Sequence, residues 1–151
     1  MDNQPDVLLV RHTYEAIQRG DTAALAELLA PNATWHVAGH HPFAGDYRGW
    51  AEIADYMAEL TRFADTLKIE LWDVVVAEAG QSESDAVVVS GLSARRKEVD
   101  LETVECDVVS IRAGRIAEVW SFAVDQQSAD AFWSAAVAEF PKELVGAYLF
   151  G

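Results

Sequence analysis

Leu67-Lys-Ile-Glu-Leu-Trp-Asp-Val-Val-Val-Ala77 is where the period of the chain changes. Its first half alternates apolar and polar side chains and its second half is continuously apolar, as in a long half-buried strand. Two more runs of this kind follow, Ala86 to Ala94 and Leu101 to Ile111, separated by the charged segment Arg95-Arg-Lys-Glu98. Gly80 to Ser84 reads as a turn between strands, and Ala113-Gly114 as a tight turn into a last strand, Ile116 to Val124. Strands joined in series by short turns form an antiparallel meander.

Upstream of that meander the period is helical. Val7, Val10, Tyr14 and Ile17 recur at helix spacing between Asp6, a fair N-cap, and Gly20, a fair stop. Asp21 then caps a short second helix carrying Leu25, Leu28 and Leu29, with Pro31 predicted to close it. A strand at Ala33 to Val37 leads into a loop from Gly39 to Gly49, dense in Gly, Pro and aromatics and therefore expected to be mobile. Trp50, Ile53, Met57, Leu60 and Ala64, with Tyr56 alongside, give a third helix. After the last strand, Ser128 or Asp130 starts a terminal helix holding Phe132, Trp133, Val137 and Phe140, ended by Pro141. This order is α+β, in one domain over residues 1–151 with its core at about 7–125 and a C-terminal helix and tail over 126–151. Three helices cover one face of such a sheet. The other face, with Val104, Cys106 and Val108, needs a partner, and a second copy of the chain is the simplest one.

The 151 residues are 51% hydrophobic and 24% charged, an ordinary globular balance. Eleven Lys and Arg face 25 Asp and Glu, a net charge of −14, which repels phosphate backbones and anionic lipid surfaces. Nucleic-acid and membrane partners are therefore not expected. Cys106 is the only cysteine, so no intramolecular disulfide can form. The polar, acidic start from Met1 to Asp6 and the lack of a long apolar run point to the cytoplasm. No phosphate-cradling glycine loop, dinucleotide fingerprint or nucleophile elbow occurs, and no cofactor is expected. His36, His40 and His41 lie close in sequence, but without a Cys ligand or a helical His-x3-His spacing they do not make a metal site.

The run Tyr14-x5-Gly20-Asp21 followed by Leu28-Leu-Ala-Pro-Asn-Ala-Thr-Trp-His36 resembles the opening of the nuclear-transport-factor-2-like superfamily. Arg112-Ala-Gly-Arg-Ile-Ala-Glu-Val-Trp120 is similar to that superfamily's glycine-turn hairpin. Trp35-His-Val-Ala-Gly39 with Pro42-Phe-Ala-Gly-Asp-Tyr-Arg-Gly49 resembles its SnoaL-like branch, related to polyketide cyclases and ketosteroid isomerases. The resemblance implies a cone-shaped, half-barrel antiparallel sheet, covered on one face by three helices and enclosing an apolar pocket. It also implies a homodimer.

Asp107 is the leading catalytic candidate. It lies mid-strand between Cys106 and Val108 and shares a face with Glu105, Val109 and Ile111; Ser121 falls on the matching face of the next strand. In the ketosteroid isomerases the matching position holds a protonated carboxylic acid that donates to an oxyanion, which implies that role here. The isomerases' base and oxyanion tyrosine align with Val37 and Thr13, and the cyclases' aspartate with Ser121, so neither apparatus carries over intact. Tyr14 is one position away and is expected to line the pocket. His36 is a candidate base, but it alternates with Trp35 and Val37 and faces away from a pocket they line unless the strand bends. His40 is a second candidate, able with His41 to swing over the pocket mouth from the loop. Trp35, Val37, Phe43, Tyr47, Trp50, Tyr56, Glu105, Val119 and Ser121 complete the expected lining, an aromatic-rich set suited to an apolar small molecule. Trp120 and Phe122 alternate with Ser121 and are expected on the opposite face.

These residues predict a cofactor-free acid–base enzyme of isomerase, cyclase or lyase type, acting on an apolar carbonyl compound. The alternative is a non-catalytic binding protein for an apolar metabolite. An enzyme brings two titratable side chains into one cavity; a binder needs at most one.

Overall fold

The chain runs α1 (Gln4–Arg19), α2 (Thr22–Leu28), β1 (Leu29–Val37), β2 (Gly45–Arg48), α3 (Gly49–Phe63), β3 (Thr66–Glu78), β4 (Glu83–Arg96), β5 (Val99–Arg112), β6 (Arg115–Ala123) and α4 (Gln126–Ala138). These elements come from a computed structural model in which residues 4–78 and 83–138 are described. Gly80, most of the predicted turn after β3, Phe140, Pro141 and the tail lie outside those residues.

Local chemistry explains the starts and stops. Gly20 takes φ +69 after α1, and the Asp21 carboxylate accepts the Ala24 amide at 3.0 Å to cap α2. Ala113 and Gly114 both adopt positive φ, so β5 and β6 join through a two-residue hairpin with Arg112 opposite Arg115.

Three boundaries differ from the sequence expectation. Pro31 does not close α2. The helix ends at Leu28, Leu29 is already in β1, and Pro31 lies in a register shift between Leu29 and Thr34. A residue with no amide hydrogen fits there because the regular ladder is interrupted. The Gly39–Gly49 loop contains the short strand β2, and α4 begins at Gln126, ahead of Ser128.

The six strands form one unclosed sheet in the order β2-β1-β6-β5-β4-β3. All neighbouring pairs are antiparallel except β1 and β6, which run parallel, so the sheet is mixed where the sequence reading expected a purely antiparallel one. The meander supplies β3 to β6, and β1, laid down before it, joins the free edge of β6 in the only direction its connections allow.

Helices cover the inner face of the sheet. One core cluster packs Val10, Tyr14, Leu25 and Ile53 from the helices against Trp35, Val88, Val109 and Val119. A second gathers Phe43, Leu60, Phe63, Leu92, Leu101 and α4's Phe132 and Trp133 at the other end. Between the two clusters the packing leaves a cavity. Among the described residues no helix is long and apolar enough to cross a membrane.

Candidate active site

Alternation along β5 and β6 aims Glu105, Asp107 and Ser121 at the inner face, and Asp107 pairs directly opposite Ser121 in the ladder. Helix α1 brings Tyr14 over them, and α3 brings Tyr56. Two adjoining chambers result. The first, with a free volume of about 40 Å³, is lined by Tyr14, Trp35, Tyr56, Glu105, Asp107 and Ser121 among others. The second, of about 30 Å³, extends toward α4 past Val37, His41, Gln126 and Trp133. Tyr56, Leu60, Leu92, Glu105 and Ser121 line both, so the chambers adjoin with Glu105 facing each of them.

Asp107 is 4% exposed and accepts a short hydrogen bond at Oδ2 from the Tyr14 hydroxyl. Its Oδ1 is buried with no hydrogen-bond partner. Burial raises the Asp107 carboxyl from 3.8 to about 6, against the opposing pull of hydrogen bonding to Tyr14 and Ser121. Glu105 rises from 4.5 to about 7, first through burial and then through the charge of Asp107, with Ser121 again lowering it. No Lys or Arg lines either chamber to neutralise the pair. Tyr14 and Tyr56 are pushed well above 10.0, chiefly by burial and next by the carboxylates, so both remain donors at any physiological pH. An unpartnered, buried carboxylate oxygen costs stability. It is chemically useful, because it leaves an unused lone pair on a residue that lines the cavity.

The histidines fall elsewhere. His36 lies on the outer face, as its alternation with Trp35 and Val37 requires; β1 does not bend to bring it inward. Its Nδ1 is 2.7 Å from Asp46, its Nε2 is 2.6 Å from Glu118, and its ring stacks on Trp120 at 5.3 Å. Glu118 first and Asp46 second raise its pKa, favouring an imidazolium that donates to both. It clamps β1, β2 and β6 together and does not line the cavity. The His40 side chain is 98% exposed, with Nδ1 3.9 Å from Asp130, and it too is outside the cavity.

His41, expected with His40 to be able to swing over the pocket mouth, is the histidine that lines the second chamber. Its Nδ1 accepts the Phe43 amide at 3.1 Å, and burial lowers its pKa below 6.5 against the attraction of Asp130. The loop that carries it is anchored, contrary to the expected mobility. Phe43 is fully buried and packs edge-on against Phe63 and Trp133. At Gly39, φ is +120 and an added Cβ would lie 2.4 Å from Asp130 Oδ1, so glycine is required for the close approach to α4.

The remaining expected lining residues divide. Tyr14, Trp35, Val37, Tyr56, Glu105 and Ser121 do line the cavity. Phe43 and Val119 are core, Tyr47 stacks behind Tyr56 at 4.5 Å with its hydroxyl on the Phe43 carbonyl, and Trp50 is largely exposed. Those four were drawn in by aromatic character or strand alternation, which do not separate core from cavity wall. Ile17, Leu60 and Trp133 also line the cavity outside the expected set, although helix spacing from Tyr14 and Tyr56 signals the first two. Among the described residues no group of three or more His, Cys, Asp and Glu is placed to hold a metal ion.

A family model described as the SnoaL-like domain matches residues 10–119. An uncharacterized protein of Mycobacterium tuberculosis is 32% identical over 135 residues, spanning 89% of this chain and 100% of its own. Among solved structures, Bal32a from a soil-derived mobile gene cassette superposes with a TM-score of 0.80 at 26% identity, covering 88% of this chain and 99% of that one. A putative polyketide cyclase from Sinorhizobium meliloti shares the fold with a TM-score of 0.57 at 23% identity, over 75% of this chain and 92% of that one. Other solved neighbours are described as cystatin-like or nuclear-transport-factor-2-like.

Proposed function

The chain belongs to the SnoaL-like family, whose fold is of the small-molecule-binding, isomerase or cyclase type, and on that premise we propose that it is a cofactor-free acid–base catalyst for an apolar carbonyl compound. One observation carries the reading: two carboxyls, Asp107 and Glu105, enter a single apolar cavity with their pKa values raised to about 6 and about 7. Groups that titrate near neutrality are suited to taking and returning protons there.

The environments favour one division of roles. Tyr14 stabilises the ionised form of Asp107, and Asp107 once ionised makes Glu105 hold its proton longer. The pair titrates as a unit, and in its singly protonated form these contacts favour the proton on Glu105. Asp107 is then the base, with Oδ1 free to accept, and Glu105 the acid. This exchanges the part that resemblance to the ketosteroid isomerases implied for Asp107. Asp107 removes a proton from the carbon beside the carbonyl. The C–H electron pair becomes a C=C bond and the carbonyl π pair moves to oxygen, which accepts a hydrogen bond from Glu105. Where the substrate carries a β,γ double bond the enolate extends over it, and returning the proton from Asp107 to the γ carbon moves the double bond into conjugation, an isomerisation with no net change in atoms or electrons.

The test is deuterium uptake beside the carbonyl of enolisable aromatic ketones, α-tetralone among them, followed by NMR in heavy water. Wild type should exchange well above the buffer rate. Asp107→Asn should lose ~10²–10⁴-fold, the usual contribution of a positioned base. Glu105→Gln, which keeps a weaker donor, should lose less, on the order of 10-fold. Wild-type exchange no faster than buffer, with the ketones nonetheless bound, would favour the non-catalytic binding protein.

A further inference from the structure

Outside the cavity, a groove of about 310 Å³ runs between the C-terminal end of α1, the start of α2 and the outer side of α3. Ile17 and Met57 are walls of this groove and also walls of the Tyr14–Asp107 chamber. Leu25, Ala54 and Ala58 extend the apolar floor outward, and Arg19 stands at the rim, paired with Asp21 at 3.2 Å. The seam is loose because α1 packs mainly on α2 and β3 and meets α3 only sparsely. Small residues at Gly20, Ala54 and Ala58 keep the groove from being filled. Met57 is unbranched and flexible, able to yield to a chain passing between it and Ile17.

We propose that this groove is a second subsite, which holds an apolar tail on the same small molecule whose polar head reaches Tyr14 and Asp107. The substrate class is then an elongated molecule, an oxygen-bearing ring or carbonyl head joined to a hydrocarbon arm of several carbons. This rests on reading the Tyr14–Asp107 chamber as the head site. Ile17 and Met57 stand between the groove and that chamber and face both, and this adjacency selects the occupant: a tail passes from one to the other where the flexible Met57 side chain turns aside. A partner protein would bury the rim and have no reason to follow Ile17 and Met57 inward.

Phenol and 4-butylphenol are the probes, titrated calorimetrically, because a phenol presents a hydroxyl to Tyr14 and Asp107 with or without a tail. Wild type should bind 4-butylphenol about 30-fold more tightly than phenol, from partial burial of four carbons in a groove open to solvent. Ala58→Trp, at an exposed position that lines only the groove, should remove most of that advantage and leave the affinity for phenol unchanged. Thr61→Trp, farther along the same helix, should reduce it in the same direction, and a melting curve for each variant establishes that it is folded. The proposal is overturned if the 30-fold preference is absent in wild type, or survives both substitutions. Failure of the underlying catalytic reading looks different: no ketone exchange, with the tail preference and its loss in Ala58→Trp both present.

Discussion

Ionising Asp107 destabilises the fold, because its charge has no cationic neighbour along the cavity and one of its oxygens has no partner. The folded-state pKa is raised from 3.8 to about 6, so between those values the folded chain binds a proton that the unfolded chain has released. Stability from this group is therefore greatest at low pH, declines as pH climbs from about 4 through about 6, and is level above. A displacement of that size corresponds to roughly 3 kcal/mol once the carboxyl is ionised. Asp107→Asn keeps an oxygen for the Tyr14 hydroxyl and removes the titration. It should be more stable than wild type in denaturant unfolding at pH 8 and no more stable at pH 4. Equal destabilisation at both pH values would instead make Asp107 a structural anchor for Tyr14. Alternation alone made Asp107, Glu105 and Ser121 readable in the sequence, because strand period fixes which side chains share a face. The Tyr14–Asp107 bond was not readable, since it joins positions 93 residues apart and depends on how α1 lies across the sheet. Choosing His41 over His40 was equally out of reach, as it turns on the path of an irregular loop.

Loop 38–44 and α4 form one unit at the wide end of the cavity. Gly39 is where they touch, and Phe43 fastens the loop between Phe63 and Trp133. Gly39→Ala should therefore do two kinds of damage: a Cβ at φ +120 strains the backbone, and it collides with Asp130 and Gln126 at 2.4 and 2.6 Å. Gly45→Ala is the control, because Gly45 has φ +143 but nothing within 4 Å of its added Cβ. Backbone strain alone costs about 1 kcal/mol or somewhat more, and the contact should add about as much again for Gly39→Ala. Chemical unfolding of the two variants side by side measures the difference. Hydrogen exchange should also quicken across α4 only in Gly39→Ala. Equal losses would mean that the loop does not bear on α4. Every helix and strand of the meander was legible as an element, since each carries its own period over many residues. β2 was hidden: its four residues are too few to show a period, and it is a strand only because β1 offers it an edge. Pro31 misled for a related reason, because its place inside β1 depends on an irregular pairing with β6.

The outer face of the sheet carries a row of exposed apolar side chains. Ladder partners place Val75, Val87, Val108 and Trp120 side by side across β3, β4, β5 and β6, with Val89, Cys106 and Phe122 in the next row. Val75 is 58% exposed and Val87, Trp120 and Phe122 about 40%, although the residues between them in sequence are buried. Trp72 extends the patch by lying flat over Gly91, where any Cβ would come within 2.5 Å of the indole. Among the described residues no helix covers this side, and the partner expected from the sequence, a second chain using the same face, would bury it. The net charge of −14 opposes that association, which makes its salt dependence informative. Sedimentation at micromolar concentration should show a homodimer that tightens as salt rises from 0.05 to ~0.5 M, because screening weakens repulsion between the two acidic chains while the apolar contact is unaffected. Val108→Asp sets a carboxylate at the centre of the patch and, by two-fold symmetry, close to its own copy. It should shift the protein to monomer and leave ketone exchange in the cavity intact, since Val108 points away from Asp107. Wild type that stays monomeric at micromolar concentration, in low and high salt alike, would rule out the dimer and leave the exposed Trp120 and Phe122 without an explanation.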